Sequence, residues 1–295
     1  MHNHNHSTNH DSSKRIAWAF FLNVGFTIIE FIGGWLTNST AIMADAVHDL
    51  GDSLSIGLAW FLSHVSNKPA SGSYSYGYRR FSLLGSLING VVLVVGSLWV
   101  LSEAIPRLQN PEMPVVSGML GMAIFGIAVN GFAAYKLSKG QTLNERVLNW
   151  HLMEDVLGWV AVFIVSIVLM FADWPILDPI LSIAFTLFIV FNVFRNLRET
   201  VRLFLQAVPD KQLQNQIEAI LKDLTGVEEV HHFHLWSLDG EHHVLTAHLV
   251  LSRSIDVAEH LNLKQTIAKK LKSFDLEHTT IEFEFENELC RDSFQ

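Results

Sequence analysis

Apolar and polar positions divide the chain into two regions of different character. Between residues 14 and 206, six apolar segments are separated by short polar stretches. Each is close to the roughly 20 residues that a helix needs to cross a bilayer. The segments lie at 15–37, 41–65, 81–105, 115–137, 145–171 and 176–203. This pattern predicts a membrane α-helical domain with six transmembrane helices.

Beyond residue 206 the hydrophobic period changes. Two segments place apolar residues at helical spacing and three read as strands. The helices are predicted at 211–224 and 256–274, and the strands at 227–238, 242–251 and 278–286. Because the order is helix, strand, strand, helix, strand, residues 207–295 are predicted to form a small α+β domain.

Basic residues between the apolar segments predict the orientation. They fall almost entirely on one side of the predicted membrane: Lys14, Arg15, Lys68, Arg79, Arg80, Lys136, Lys139, Arg146, Arg195, Arg198 and Arg202. On the opposite side, Arg107 is the one basic residue. Since loops rich in Lys and Arg remain in the cytoplasm, both termini and the tail are predicted to be cytoplasmic.

Composition adds two further constraints. Residues 1–13 alternate His with Asn and lack an apolar core, so we expect a disordered, His-rich terminus there. The tail from residue 207 has 8 Lys and Arg against 16 Asp and Glu, which contributes most of the overall charge of −9. An acidic tail argues against nucleic acid as a partner. The single cysteine, Cys290, excludes an intrachain disulfide and a cysteine-based zinc finger.

The second apolar segment contains polar side chains that a membrane span does not need. A charge in the bilayer interior costs a few kcal/mol, so such residues usually have a partner or a function. His48 and Asp52 are four residues apart, which places both on one face of a helix. His151 and Asp155 repeat the spacing in the fifth segment. Two nitrogen and two oxygen ligands could form a tetrahedral site for Zn²⁺, with Cd²⁺ or Co²⁺ tolerated.

Other interpretations of these pairs are weaker or stay open. A single buried His or Asp can be satisfied by a neighbouring hydrogen bond alone, but two matched pairs favour a metal site. An intramembrane metalloprotease is disfavoured because the His-Glu-x-x-His helix is absent. A metal channel without proton coupling and a non-transporting metal sensor are both compatible with the sequence.

Several motifs, which include the two His and Asp pairs, are distributed over nearly the whole chain. They are Asn23-x2-Phe26-x3-Glu30-x3-Gly34, Asn38-Ser39-x-Ala41, Ala44-Asp45-Ala46-x-His48-x3-Asp52, Tyr76-Gly77-Tyr78-Arg79-Arg80, His151-x3-Asp155 and His234-Leu235-Trp236-Ser237-Leu238. Together they resemble the motifs of the cation diffusion facilitator family, and most closely those of its bacterial zinc exporters.

This resemblance implies an architecture and a reaction. The implied fold is six transmembrane helices followed by a cytoplasmic metallochaperone-like (ferredoxin-like, αββαβ) domain, assembled as a homodimer in the bacterial inner membrane. The implied activity is export of zinc in exchange for protons by alternating access, through His48, Asp52, His151 and Asp155; it is transport, with no cofactor and no enzymatic step. Asp45, three residues before His48, is expected to orient the ligands or admit the metal.

The resemblance also implies a regulatory metal site in the tail, which holds eight histidines. The expected ligands come from the first strand, the second strand and the last strand, with one more candidate on the second helix: His232, His248, Glu282 or Glu284, and His260. Because strand alternation puts His232 and His234 on the same face, the sequence does not choose between them. The alternative is a set of exposed surface histidines.

Overall fold

The computed structural model describes residues 6–66, 68–138, 143–285, 288–290 and 292. Its helices and strands follow in the order α1 (His6–Thr37), α2 (Thr40–Ser66), α3 (Phe81–Gln109), α4 (Val116–Leu137), α5 (Leu143–Phe171), α6 (Leu177–Phe204), α7 (Lys211–Lys222), β1 (Val227–Ser237), β2 (His243–Leu251), α8 (Val257–Leu271) and β3 (Leu276–Phe285).

Six long helices correspond to the six predicted spans. In the described part of the chain, five of them are long and apolar enough to cross a membrane, namely α1, α3, α4, α5 and α6. The remaining helix, α2, has 27 residues and carries the aspartates that the sequence singled out. Large apolar side chains such as Trp35 and Phe171 are exposed on these helices, as expected for surfaces that face lipid. Helix α1 already begins at His6, where the sequence predicts a disordered terminus extending to residue 13.

Helices α4 and α5 approach each other closely in the core of the helical region. Gly126 on α4 leaves room for the indole of Trp159 on α5, since a Cβ at Gly126 would lie 2.2 Å from the ring. Trp159 is fully buried and packs with Phe26 and Met119 in one core cluster. Because Trp159 lies one turn after Asp155, this packing fixes the part of α5 that carries the candidate ligand.

The tail has the predicted αββαβ order. Its sheet has the strand order β1-β2-β3, with β1 and β2 antiparallel and β2 and β3 parallel. The apolar faces of α7 and α8 cover the sheet through Ile217, Leu221 and Leu271. Each helix begins at an aspartate whose side chain accepts from the first turn, Asp210 for α7 and Asp256 for α8, which satisfies backbone donors at the helix start.

The described residues divide into two compact units. The first lies within 1–61 and 88–197, and the second within 62–87 and 198–295. The second unit therefore contains the tail together with the end of α2, the connection to α3 and the start of α3. The domain boundary predicted between residues 206 and 207 therefore lies inside the second unit, which already begins at residue 198 in this part of the chain.

Candidate metal sites

The first candidate site lies between α2 and α5. His48 Nε2 is 3.6 Å from Asp52 Oδ2 on the next turn of α2 and 3.8 Å from Asp155 Oδ1 on α5. The structure thus brings together three of the four predicted ligands. His151 lies one turn before Asp155 on α5, and its side chain is outside the part that the structure describes.

The distances between these atoms fit a bound cation. Zinc ligands lie about 2.1 Å from the metal, so neighbouring ligands of a tetrahedral site are about 3.4 Å apart. The two observed separations are close to this value. The Asp155 side chain is only 2% exposed, whereas that of His48 is 30% exposed. A divalent cation would offset the charge of the buried carboxylates, which are costly in a membrane interior.

Further carboxyl groups surround this site. Asp45 lies near α5, since a Cβ at Gly158 would be 3.6 Å from its Oδ1; this is where a residue that orients the ligands or admits the metal is expected. Glu30 on α1 and Asp49 on α2 are both almost completely buried. Glu30 is within electrostatic range of Asp45 and Asp155. Asp49 is likewise within electrostatic range of Asp155, so both groups lie near a candidate ligand.

The second candidate site lies on the tail sheet. His231 on β1, His248 on β2, Glu284 on β3 and Cys290 each offer an atom, and these atoms lie within 4.8 Å of one another. His231 Nε2 is 2.8 Å from Glu284 Oε2, and His248 Nδ1 is 2.7 Å from Glu284 Oε1. The Cys290 thiol is 3.5 Å from His248 Nδ1. We call these four residues the tail cluster.

The charges of the tail cluster suit a cation. Burial alone would raise the pKa of Glu284, but hydrogen bonds from Cys290, His248 and His231 outweigh it, so its pKa lies below the ordinary value. Burial raises the pKa of the Cys290 thiol, and the neighbouring carboxylates raise it further. A metal that binds here must therefore displace the thiol proton, which makes its affinity depend on pH.

The tail cluster differs in part from the predicted ligand set. His248 and Glu284 were expected, whereas His231 and Cys290 were not. The pairing of β1 with β2 is irregular between His231 and His234, and His232 has a positive φ of 44°. This bulge interrupts strand alternation, so His231 turns toward the cluster. The sequence alone points only weakly to His231, because a pattern of strand alternation cannot show which of two adjacent histidines faces the cluster.

The other predicted tail residues lie around the cluster. The His232 ring is 5.1 Å from the His248 ring. Glu282 Oε2 approaches the second nitrogen of His248, Nε2, at 3.8 Å. His260 packs against the ring of Phe283 at 5.0 Å and is not a member of the cluster. Cys290 could have been predicted as a metal ligand from the sequence, because it is the chain's one thiol and lies six residues after Glu284.

The opposite end of the sheet holds a second group of charges. Arg79, from the connection between α2 and α3, donates to Glu277 at 3.1 Å and lies 3.8 Å from Asp239. Burial acts to raise the pKa of Asp239, but hydrogen bonds from the backbone of His242 and Glu241 lower it below its usual value. Burial also lowers the pKa of His243.

Comparison with known proteins agrees with this architecture. The model of the cation efflux transmembrane domain matches residues 16–205, and that of the cation efflux protein cytoplasmic domain matches residues 209–286. The chain belongs to the cation efflux (cation diffusion facilitator) family, as its motifs predicted. It is a multi-pass membrane transporter rather than an enzyme, and the predicted six-helix and αββαβ fold is confirmed.

Three relatives illustrate the similarity. The cadmium, cobalt and zinc/H(+)-K(+) antiporter of Bacillus subtilis (strain 168) is 31% identical over 289 residues, covering 97% of this chain and 92% of the relative. The zinc transporter ZitB of Escherichia coli (strain K12) is 30% identical over 295 residues, covering 97% and 93%. The metal cation efflux system protein CzcD of Cupriavidus metallidurans is 30% identical over 287 residues, covering 96% and 89%.

Proposed function

We propose that this protein exports zinc from the cytoplasm in exchange for protons, through a four-ligand site of His48, Asp52, His151 and Asp155. The observation that carries the proposal is the approach of His48 to Asp52 and Asp155 across α2 and α5. The names of the relatives support the cargo and the counter-ion, because they include zinc, cadmium, cobalt and H⁺. Cd²⁺ and Co²⁺ are accordingly secondary substrates.

Exchange follows from the chemistry of the ligands. An imidazole nitrogen and a carboxylate bind metal only when they are deprotonated, so zinc and protons compete for the same atoms. The buried Asp155 carboxylate is costly without a positive charge, which either zinc or a proton can supply. Histidine suits this exchange because it is the side chain whose ordinary change of charge falls near neutral pH. Exposure of the site to each side in turn then couples a proton gradient to zinc efflux.

The tail serves regulation in this proposal. With basic residues concentrated on one side, both termini and the tail domain, residues 207–295, are cytoplasmic. The tail cluster would bind zinc when its cytoplasmic concentration rises and favour a transport-competent homodimer in the inner membrane. The cluster's mixed nitrogen, oxygen and sulfur donors are suited to Zn²⁺ and Cd²⁺. Residues 14–206 carry out transport.

Reconstitution into liposomes that contain a pH-sensitive dye tests the assignment. A zinc gradient should drive proton movement with the wild-type protein, and Asp52→Ala or His151→Ala should reduce it to the level of empty liposomes. A magnesium gradient serves as the control for cargo chemistry. Wild-type rates from both variants would contradict the four-ligand site.

The same liposomes separate the proposal from its alternatives. Zinc flux that does not respond to an imposed pH gradient would indicate a channel without proton coupling. Saturable zinc binding with no flux under any gradient would indicate a metal sensor. An antiporter requires that each gradient drives the other ion.

A further inference from the structure

The start of α2 is bonded to the start of α6 by a single buried carboxylate. Asp178, the second residue of α6, is 1% exposed. Its Oδ1 accepts from Ser39 Oγ at 2.5 Å and from the backbone N–H of Ala41 at 3.3 Å. Its Oδ2 accepts from the backbone N–H of Thr40 at 2.7 Å and from Thr40 Oγ1 at 2.8 Å. Both oxygens are therefore committed to α2.

This arrangement is a helix cap supplied by another helix. The first N–H groups of a helix have no partner within it, and a negative charge there is favoured by the helix dipole. In most helices a residue next to the first turn provides the cap. Here Ser39 provides such a local cap, since its Oγ accepts from the backbone N–H of Ile42 at 3.3 Å, and Asp178 adds a second cap from 137 to 139 residues later in the chain. One turn further along α6, Ser182 Oγ donates to the carbonyl of Thr40 at 2.9 Å, so α2 and α6 are joined at two levels.

The turn that precedes α2 is held as well, but through different atoms. Asn38 has a positive φ of 54°. Arg107 on α3 donates to its backbone carbonyl and to its side-chain oxygen at 2.8 and 2.7 Å. These contacts fix the turn, whereas Asp178 holds the first backbone groups of α2 itself.

The anchored end of α2 is close to the candidate ligands. His48 follows Ala41 by seven residues, or about 10 Å along the helix axis at 1.5 Å per residue. On the other side, α6 packs against α5, because Leu181 and Phe185 contact the cluster that contains Trp159. A Cβ at Gly158 would also lie 3.9 Å from the Phe185 ring. Helix α6 therefore contacts both helices that contribute ligands.

We propose that Asp178 is a positioning residue for transport, which fixes α2 at the height where His48 and Asp52 meet Asp155. It does not bind the metal, and it acts through the α2 backbone. Without the cap, α2 can slide or rotate relative to α5, and the separation of 3.8 Å between His48 and Asp155 is no longer maintained. The inference rests on the proposed four-ligand transport site.

The test compares Asp178→Asn with Asp173→Asn in liposomes. Asparagine keeps the size of the side chain but removes the charge and replaces one acceptor oxygen with a donor. Asp173 is an exposed carboxylate shortly before α6, so its variant controls for loss of one negative charge there. The zinc concentration for half-maximal proton movement and the maximal rate are measured separately. For Asp178→Asn we expect the half-maximal zinc concentration to rise about tenfold or more, the loss typical of residues that orient metal ligands, and no change for Asp173→Asn.

A milder variant keeps the test decisive if Asp178→Asn does not fold. Thr40→Val removes the Oγ1 donor and leaves the bonds from Ser39 and from the backbone N–H groups of Thr40 and Ala41, so it should raise the half-maximal zinc concentration by a smaller factor. A half-maximal concentration equal to wild type in the folded variants would overturn the inference. So would a fall in maximal rate alone, since a smaller folded fraction produces that result. If the wild-type protein itself shows no zinc-driven proton movement, the proposed function fails instead.

Discussion

Asp155 and His48 approach each other from different helices, with 3.8 Å between Oδ1 and Nε2, although 107 residues separate them in the chain. The carboxylate is enclosed and the imidazole is partly open. In the proposed transport, a cation would therefore meet His48 before it reaches Asp155.

Replacement of Asp155 by asparagine should remove zinc binding in the membrane domain. The variant retains the size of the side chain but loses the charge that offsets the cation, so we expect zinc affinity to fall by about 100-fold or more. Calorimetric titration of purified protein gives the affinity, and liposome assays give the flux. Glu154→Gln is the matched control, because Glu154 is exposed on the adjacent position of α5. Equal losses in both variants would contradict a specific role for Asp155.

Gly126 should not tolerate alanine, whereas Gly121 on the same helix should. A Cβ at Gly126 would lie 2.2 Å from the Trp159 indole, while a Cβ at Gly121 meets nothing within 4 Å. We expect Gly126→Ala to destabilise the protein by about 1–3 kcal/mol through overpacking. Gly121→Ala should be neutral or slightly stabilising because alanine favours helix. Thermal unfolding measures the difference.

The same pair of variants also connects packing to function. Displacement of Trp159 moves the turn of α5 that carries Asp155, so Gly126→Ala should weaken zinc binding in addition to stability. Gly121→Ala should bind zinc like the wild type. Identical behaviour of the two alanine variants would show that the α4–α5 contact does not constrain the site.

The sequence predicted those features that depend on local periodicity. Apolar runs of about 20 residues located the six long helices, and the change of period located the αββαβ tail. The pairs His48 with Asp52 and His151 with Asp155 were visible because a spacing of four residues defines one helix face. Long-range packing between α2 and α5 then determined which faces meet.

Other features depend on contacts that no local pattern encodes. The position of His231 in the tail cluster follows from a bulge at His232, whose positive φ breaks strand alternation. Cys290 lies beyond the last predicted strand, and its thiol is 3.5 Å from His248 Nδ1. The bonds from α2 to Asp178 link residues far apart in sequence. Such contacts form only in the folded chain, so they cannot be predicted from the spacing of residues in the sequence.

The tail domain should lose stability as the pH falls below neutral. Burial lowers the pKa of His243, so the unfolded chain binds a proton more readily than the folded domain. Stability therefore rises with pH, and it begins to fall once the pH drops below the ordinary histidine value of about 6.5. The depressed pKa values of Asp239 and Glu284 have the same sign and act at lower pH.

This dependence can be assigned to His243 by substitution. His243→Gln removes the titrating group and should flatten the decline in tail stability between about pH 7 and pH 5. His234→Gln, at an exposed position of β1, should leave the decline unchanged. The measurement is the urea midpoint of tail unfolding at each pH. It is monitored by hydrogen exchange, with the exchange rates corrected for the intrinsic dependence of amide exchange on pH. A decline that persists in His243→Gln would assign the effect to other groups.

The tail cluster should bind cadmium through Cys290. A soft thiolate ligand favours Cd²⁺ over harder cations, and a cadmium–thiolate bond produces an ultraviolet charge-transfer band. Measurements in an Asp155→Asn background remove the contribution of the membrane site. Cys290→Ser should abolish the band and weaken Cd²⁺ binding by about tenfold or more. It should weaken Zn²⁺ binding less, because Zn²⁺ also accepts nitrogen and oxygen donors.

The histidines distinguish the tail cluster from the ligand set that the sequence predicted. His231 contacts Glu284 at 2.8 Å, whereas His232 contacts the cluster through ring packing on His231 and His248. We therefore expect His231→Ala to weaken Cd²⁺ binding about as much as Cys290→Ser, and His232→Ala to have a clearly smaller effect. Because metal binding displaces the thiol proton, affinity in the wild type should also fall as the pH decreases. A cadmium complex without a charge-transfer band, or a stronger effect of His232→Ala, would favour the originally predicted ligands.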